Sequence, residues 1–169
     1  ASALALEPSL LIADEPVSML DVSIRAEILN LLSALARQQG IAVVMITHDL
    51  STVAAYADRI AVMYLGRIAE HGPTRAVLAN PRHPYAQALL SAVPVSDPSA
   101  RRRPVILGGE TPDPSGIPTG CRFHPRCPLA FDRCPHVDPP LFGVGPDHQA
   151  ACLLVEEQTR HPMRDGSSA

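Results

Sequence analysis

The chain of 169 residues contains no lysine, and all 14 of its basic residues are arginine. That absence excludes a phosphate-binding loop of the G-x-x-x-x-G-K-S/T kind, whose lysine reaches the β- and γ-phosphates, and any lysine Schiff base. No apolar run approaches the ~18 residues of a membrane span, and the charged leader of a secretory signal is missing. The expectation is a chain that does not insert in a bilayer by itself. It opens on Ala1-Ser2-Ala3-Leu4 with no initiator methionine, mid-pattern, and reads as a piece of a longer protein. A net charge of −3 leaves no dominant basic footprint for nucleic acid. With 46% hydrophobic residues, disorder throughout is excluded. A chain of this size suits one ordinary domain that buries roughly 70% of its extended surface.

Proline divides what is present. Residues 1–80 hold three (Pro8, Pro16, Pro73) and residues 81–169 the other 15, so regular elements are expected mainly in the first part. Leu10–Ala13 is a short continuous apolar run after Pro8 and predicts a buried strand of a parallel sheet. Asp21 is placed to cap a helix whose face is Ile24, Ile28, Leu31, Leu32 and Leu35, and Gly40 is its natural stop. Ala42–Ile46 predicts a second buried strand, and Ser51 caps a short helix to about Ala57. Ile60–Tyr64 and Arg67–Glu70 flank Gly66 as a hairpin, and Thr74–Ala79 and Pro84–Ala92 suit two further helices. This order predicts an α/β domain with sheet crossovers. Beyond Val93 a Pro-, Ser- and Arg-rich linker follows, with Arg101-Arg102-Arg103 as a solvated run. Residues 104–155 have many turns and four cysteines, so something other than a large apolar core must organise them.

Asp14 and Glu15 stand immediately after the first apolar run, where open parallel sheets bind ligands. Four apolar residues ending in two acids is the Walker B pattern: the Asp holds Mg²⁺, usually through water, and the Glu polarises the attacking water. Alternation along a strand puts the two acids on opposite sides, free for different tasks. His48 follows the second run in the same way, where a neutral imidazole bonds a γ-phosphate or orients water. Taken singly, each also reads blandly, as a solvated acid pair or a loop histidine.

Together these residues resemble the ATP-binding subunits of ABC transporters. Leu10-Leu11-Ile12-Ala13-Asp14-Glu15-Pro16 is similar to their Walker B segment, Ser18-Met19-Leu20-Asp21 to the D-loop (usually Ser-Ala-Leu-Asp), and Thr47-His48-Asp49-Leu50 to the switch-histidine loop. Ala3–Pro8 resembles the end of the helix that follows the signature sequence. The resemblance implies ATP and Mg²⁺ as cofactors, with Asp14 serving Mg²⁺, Glu15 as catalytic base and His48 at the γ-phosphate. Ser18 and Asp21 of the D-loop would lie at the interface with a second ATPase subunit. In that family the Walker A loop, Q-loop and signature motif precede this segment, and the missing lysine leaves no displaced copy downstream. On this reading the isolated chain does not hold ATP usefully and is inactive.

Cys121, Cys127, Cys134 and Cys152 are separated by five, six and 17 residues, which fits neither C-x2-C zinc pairs nor a thioredoxin motif. Three thiols within a short stretch can still converge on one centre with the fourth brought back by a loop. Proline follows Cys127 and Cys134, as in ferredoxin ligation, and Arg122, Arg126 and Arg133 can offset thiolate charge. Four soft ligands admit a cubane iron–sulfur cluster or tetrahedral Zn²⁺. Two disulfides or four free thiols remain open on spacing alone, although the missing export signal argues against disulfides.

Gly120-Cys121-Arg122-Phe123-His124-Pro125-Arg126-Cys127-Pro128, with Cys134-Pro135 and Ala151-Cys152, resembles the C-terminal extension of oligopeptide/dipeptide importer ATPases. Val62–Arg67, Gly72-Pro73, His83-Pro84-Tyr85 and Leu89-Leu90 agree with it. The resemblance covers residues 3–154 and implies a four-cysteine iron–sulfur site, with His124 and His136 as minor candidates for substitute ligands. It also implies the fold class: the α/β C-terminal part of an ABC ATPase parallel sheet with helices, plus a small irregular Cys-rich extension. The corresponding segments are 1–93 (ATPase part), 94–103 (linker), 104–155 (extension) and 156–169 (disordered tail). The function implied is an ATP-hydrolysing subunit powering import of peptides, or of a nickel chelate. Its partners are a second ATPase subunit, transmembrane permeases and, indirectly, an extracytoplasmic peptide-binding protein, with no nucleic acid. Its place is peripheral, on the cytoplasmic face of the plasma membrane. The rival readings are a non-transport ABC ATPase of DNA repair or translation, and a metal-binding interaction module with a degenerate ATPase remnant.

Overall fold

The computed structural model describes residues 7–92, 107–108 and 116–160. They fall into two compact units, the first ending at Tyr56 and the second beginning at Ala57. The expected helix end at Ala3–Leu6, the linker 94–103 with its arginine run, and residues 161–169 lie outside the described residues.

In the first unit, β1 (Leu10–Asp14) and β2 (Ala42–Ile46) pair in parallel, Leu10 opposite Ala42 and Asp14 opposite Ile46. Helix α1 (Val22–Gln39) connects them and α2 (Leu50–Tyr56) follows. Gly40 ends α1 in the left-handed conformation, and the Ile41 N–H closes on the Ala36 carbonyl at 2.9 Å. The elements stand where the sequence puts them, but three details differ. Asp21 occupies the N-cap position without a side-chain capping bond. The inward face of α1 is also turned: Leu29 is its buried residue, whereas Leu31 is 56% exposed and Ile24 and Ile28 are exposed with it. The strands expected to be buried are likewise open, Ile12 to 64%. Parallel strands bury both faces only when further strands and helices flank them, and two strands offer too few rows for that.

In the second unit, β3 (Arg59–Tyr64) and β4 (Arg67–Pro73) form the expected hairpin. Its two-residue turn has Leu65 at φ 44° and Gly66 at φ 75°, the twist that joins antiparallel strands. Helices α3 (Thr74–Ala79) and α4 (Pro84–Ser91) follow closely as predicted. The outer edge of β4 then pairs with β6 (His148–Ala150), which pairs with β5 (Phe142–Gly145), giving the order β3-β4-β6-β5. The division between units thus falls at Tyr56/Ala57, inside the segment 1–93. The physical reason is main-chain pairing, since a strand edge must find partners and residues 148–150 supply them. Helix α5 (Leu153–Arg160) runs through the start of the segment expected as a tail, with Glu156 buried.

The core of this unit has two parts. Tyr64 and Tyr85 approach at 4.7 Å between ring centroids, and Phe123 sits 5.2 Å and 5.3 Å from them. Each such pair adds ~0.5–1.5 kcal/mol beyond area burial. Ala150, Cys152 and Val155 form the other part, with Phe142, Val144 and Leu154 packed against them. No helix among the described residues is long and apolar enough to cross a membrane.

Candidate functional site

The carboxyl ends of β1 and β2 bring Glu15 and His48 together. The Glu15 N–H extends the ladder to the Ile46 carbonyl at 2.9 Å, yet its φ of 44° is a left-handed value that a glutamate adopts at a cost of ~1–3 kcal/mol. That turn aims the carboxylate at the next loop. Glu15 Oε1 accepts the His48 main-chain N–H at 3.2 Å and meets His48 Nδ1 at 2.7 Å. A carboxylate only accepts, so Nδ1 carries the proton. His48 is 82% exposed in its side chain and Glu15 about a third, so both open to solvent. Asp14 is exposed at the tip of β1, and the Ser18 hydroxyl donates to the Glu15 carbonyl at 3.1 Å. Asp21 is exposed beyond them, at the start of α1.

Asp49 holds this loop. Its carboxylate accepts the Ser51 N–H at 2.9 Å and the Thr52 hydroxyl at 2.8 Å, and it meets Arg25 at 3.4 Å. The cap of α2 is therefore Asp49 rather than the predicted Ser51, which lies in the first turn. The Thr52 hydroxyl bond, foremost, holds the Asp49 carboxyl below its usual range.

The second unit gathers the four cysteines. Cys121, Cys127, Cys134 and Cys152 line one small cavity together with His83, Phe123, His124 and Leu153. All four thiols are free. Cys121 and Cys134 are tied by a main-chain bond of 2.8 Å, and the turn before them requires glycine: at Gly120 (φ 65°) a Cβ would lie 2.4 Å from the Cys134 carbonyl oxygen. Burial pushes the Cys127 thiol up to about 11 and raises those of Cys121 and Cys152. Among the described residues, no three His, Cys, Asp or Glu side chains stand in an arrangement that holds a metal ion. The arginines expected to offset thiolate charge are engaged elsewhere. Arg122 donates to the Leu65 carbonyl, Arg126 to the Gly108 carbonyl, and Arg133 pairs with Glu156 and Glu157. His124 lines the cavity, while His136 is exposed outside it.

Sequence reasoning missed Glu70. This carboxylate on β4 is fully buried and accepts the Arg82 N–H at 2.9 Å, the His83 N–H at 2.7 Å and His148 Nε2 at 2.7 Å. It fastens the start of α4 and strand β6 to the hairpin. His83, beside it, is 3% exposed, and burial lowers its pKa to about 4, so the ring is neutral. The His148 partner lies 78 residues from Glu70, and no local pattern announces the pair.

Residues 69–134 match the family described as the oligopeptide/dipeptide transporter, C-terminal region. A protein of Sinorhizobium fredii described as a probable peptide ABC transporter ATP-binding protein is 55% identical over 90% of this chain and 43% of its own length. The dipeptide transport ATP-binding protein of Escherichia coli is 47% identical over 97% of this chain and 48% of its own. The oligopeptide transport ATP-binding protein of Salmonella typhimurium is 48% identical over 92% and 47%. Among solved structures, cbiO1 of Clostridium perfringens aligns with 46% of this chain and 31% of its own at 38% identity, with a TM-score of 0.43. The chain spans about half the length of the curated relatives it matches. Over that span it is similar to the ATP-binding proteins of peptide ABC transporters.

Proposed function

We propose that this chain supplies the hydrolytic half of an ATP site in a peptide-importing ABC transporter. The observation that carries the reading is the 2.7 Å contact of Glu15 Oε1 with His48 Nδ1 at the tips of two paired parallel strands. With Oε1 committed to His48, Oε2 is the free oxygen to take a proton from water, and His48 Nε2 is the ring nitrogen left to face a terminal phosphate oxygen. Asp14, exposed at the adjoining strand tip, suits water-mediated attachment of Mg²⁺, which when bound neutralises phosphate charge. Ser18 and Asp21 suit contact with a second ATPase subunit. Because the chain has no lysine, the lysine that cradles β- and γ-phosphates comes from outside it. The substrates are oligopeptides or dipeptides, the further partners are membrane permeases and an extracytoplasmic peptide-binding protein, and the working place is the cytoplasmic membrane face.

In the same reading, segments 1–93 and 104–155 are the ATPase part and its Cys-rich extension. The four thiols there fit an iron–sulfur centre in donor chemistry, being soft ligands that line a single cavity. Cys121, Cys127, Cys134 and Cys152 would hold it after the thiols draw in from their present positions, and its service is to staple a segment poor in core. A tetrahedral Zn²⁺ is the alternative for the same ligands.

The test is hydrolysis in the transporter assembly that contains this chain. Glu15→Gln should lower ATP turnover by ~10²–10⁴-fold, the range of a general base, while nucleotide remains bound. Turnover at the unsubstituted rate refutes the assignment. Iron, sulfide and zinc analysis after anaerobic purification tests the thiol centre, and stoichiometric zinc without sulfide refutes the cluster.

A further inference from the structure

Strand β6, third across the four-stranded sheet, stops short of its neighbours. It pairs with β4 only at Glu70 and His71, and the Ala151 N–H adds one more bond, to the Ala69 carbonyl at 2.8 Å. The chain then leaves the sheet for α5, whereas β4 reaches back to Arg67 and residues 138–141 lead into β5. On its β6 side, therefore, β4 has no strand partner at Arg67 or Ile68 among the described residues. Residues 66–69 and 138–141 bound a groove of about 560 Å³ there, lined also by Tyr64 and Phe123. That volume lies within the ~300–1,000 Å³ of small-molecule sites.

Three features decide what fits. An unpaired strand edge presents main-chain N–H and C=O groups, which an extended peptide satisfies and an aliphatic chain does not. Apolar surface stands open beside that edge, with Met63, Ile68 and Leu141 lining the groove at 58%, 39% and 37% exposure. The charges are uneven. Arg67 pairs with Asp138 of the opposite segment, so those two cancel. Arg122, half-buried in the lining, donates through Nη1 to the Leu65 carbonyl and has no acid partner among the described residues. The groove thus carries one uncompensated positive charge, on a guanidinium whose Nε and Nη2 suit a carboxylate in two-point contact.

We propose that this groove binds a short extended peptide, about two or three residues long, with apolar side chains and a free carboxylate. Its main chain pairs with the open edge at Arg67 and Ile68. Its side chains cover Met63, Ile68 and Leu141, and its carboxylate rests on Arg122. Every residue involved lies in the second unit, so the site stands or falls separately from the nucleotide reading.

The experiment titrates the full chain with the dipeptide leucyl-leucine and follows backbone amides by ¹H–¹⁵N NMR. Saturable shifts at Arg67, Ile68 and Ala69 are expected, with a dissociation constant on the order of 1 mM or tighter for a ligand of that size. Leucyl-leucinamide, which lacks the carboxylate, should bind roughly tenfold more weakly. Arg122→Gln should weaken leucyl-leucine to about the same degree and leave the amide within about twofold of its parent affinity. Equal affinity of the parent chain for the two ligands overturns the inference, and that comparison needs no variant to fold. Decanoate, an apolar carboxylate without amides, should bind more weakly than the dipeptide. Decanoate bound as tightly identifies a fatty-acid site and overturns the peptide. The absence of saturable shifts up to ~10 mM, or shifts confined to residues outside the groove, overturns it as well.

Discussion

Removing the Glu70 carboxylate tests how the second unit is held together. Three donors converge on it, from the main chains of Arg82 and His83 and from the His148 ring, at 2.7–3.0 Å. Glu70→Ala deletes the acceptor and leaves at least two buried N–H groups bare. At ~1–3 kcal/mol for each stranded group, the expected loss is about 4 kcal/mol, within the ~3–5 kcal/mol typical of breaking a buried pair. That is nearly a thousandfold in the folded-to-unfolded ratio at ~1.4 kcal/mol per tenfold. Glu70→Gln keeps one acceptor oxygen but turns an amide N–H toward a donor, and should cost about 2 kcal/mol. Urea unfolding followed by near-UV circular dichroism suits the measurement, because Tyr64 and Tyr85 lie in the core that Glu70 secures. A double-mutant cycle with His148→Gln should return a coupling of ~1–3 kcal/mol. If Glu70→Gln lies within about 0.5 kcal/mol of the parent, as ordinary surface changes do, the reasoning is refuted.

Further expectations concern local features. Gly120→Ala places a Cβ against the main chain of Cys134 and Pro135, so the cysteine loop must shift, and the thiols should react with a disulfide reagent several-fold faster. Asp49→Asn should shorten α2 at neutral pH, seen as lost helical ellipticity. The Asp49 pKa is lower folded than its unfolded 3.8, so its stabilisation is present above that value and disappears as pH falls through the folded pKa. Parent and variant should therefore converge in strong acid. Ile12→Lys, at an open strand position, should change the stability of this chain by no more than about 0.5 kcal/mol while raising its solubility. Burial of Ile12 in the isolated chain would show as a loss several times larger.

The legible parts of this fold were those written in short-range chemistry. An apolar run after Pro8, an unbroken helical stretch ending at Gly40, and a two-residue turn at Leu65-Gly66 each carry their own instruction. The pairing of β1 with β2 followed from the crossover between them, and Glu15 and His48 met because two strands ended alike. Burial was less legible. The stripe of Ile24, Ile28 and Leu31 announces an apolar partner without saying whether this chain supplies one. Pairings made at long range were illegible altogether: β4 with β6, Glu70 with His148, and the cavity that gathers Cys152 with the three earlier thiols. The role of Asp49 was hidden for another reason, since Ser51 and Asp49 are equally good capping residues and only the main-chain path chooses between them.

The order β3-β4-β6-β5 has a consequence for how the chain is made. The hairpin leaves the ribosome early, but the segment that closes its open side is translated 78 residues after Glu70. At ~5–20 residues per second, the half-finished sheet waits roughly 4–16 s with a bare ladder of amides and a carboxylate that still lacks its histidine partner. During that interval a nascent-chain chaperone, or a neighbouring polypeptide on the same polysome, meets an edge that the finished protein hides.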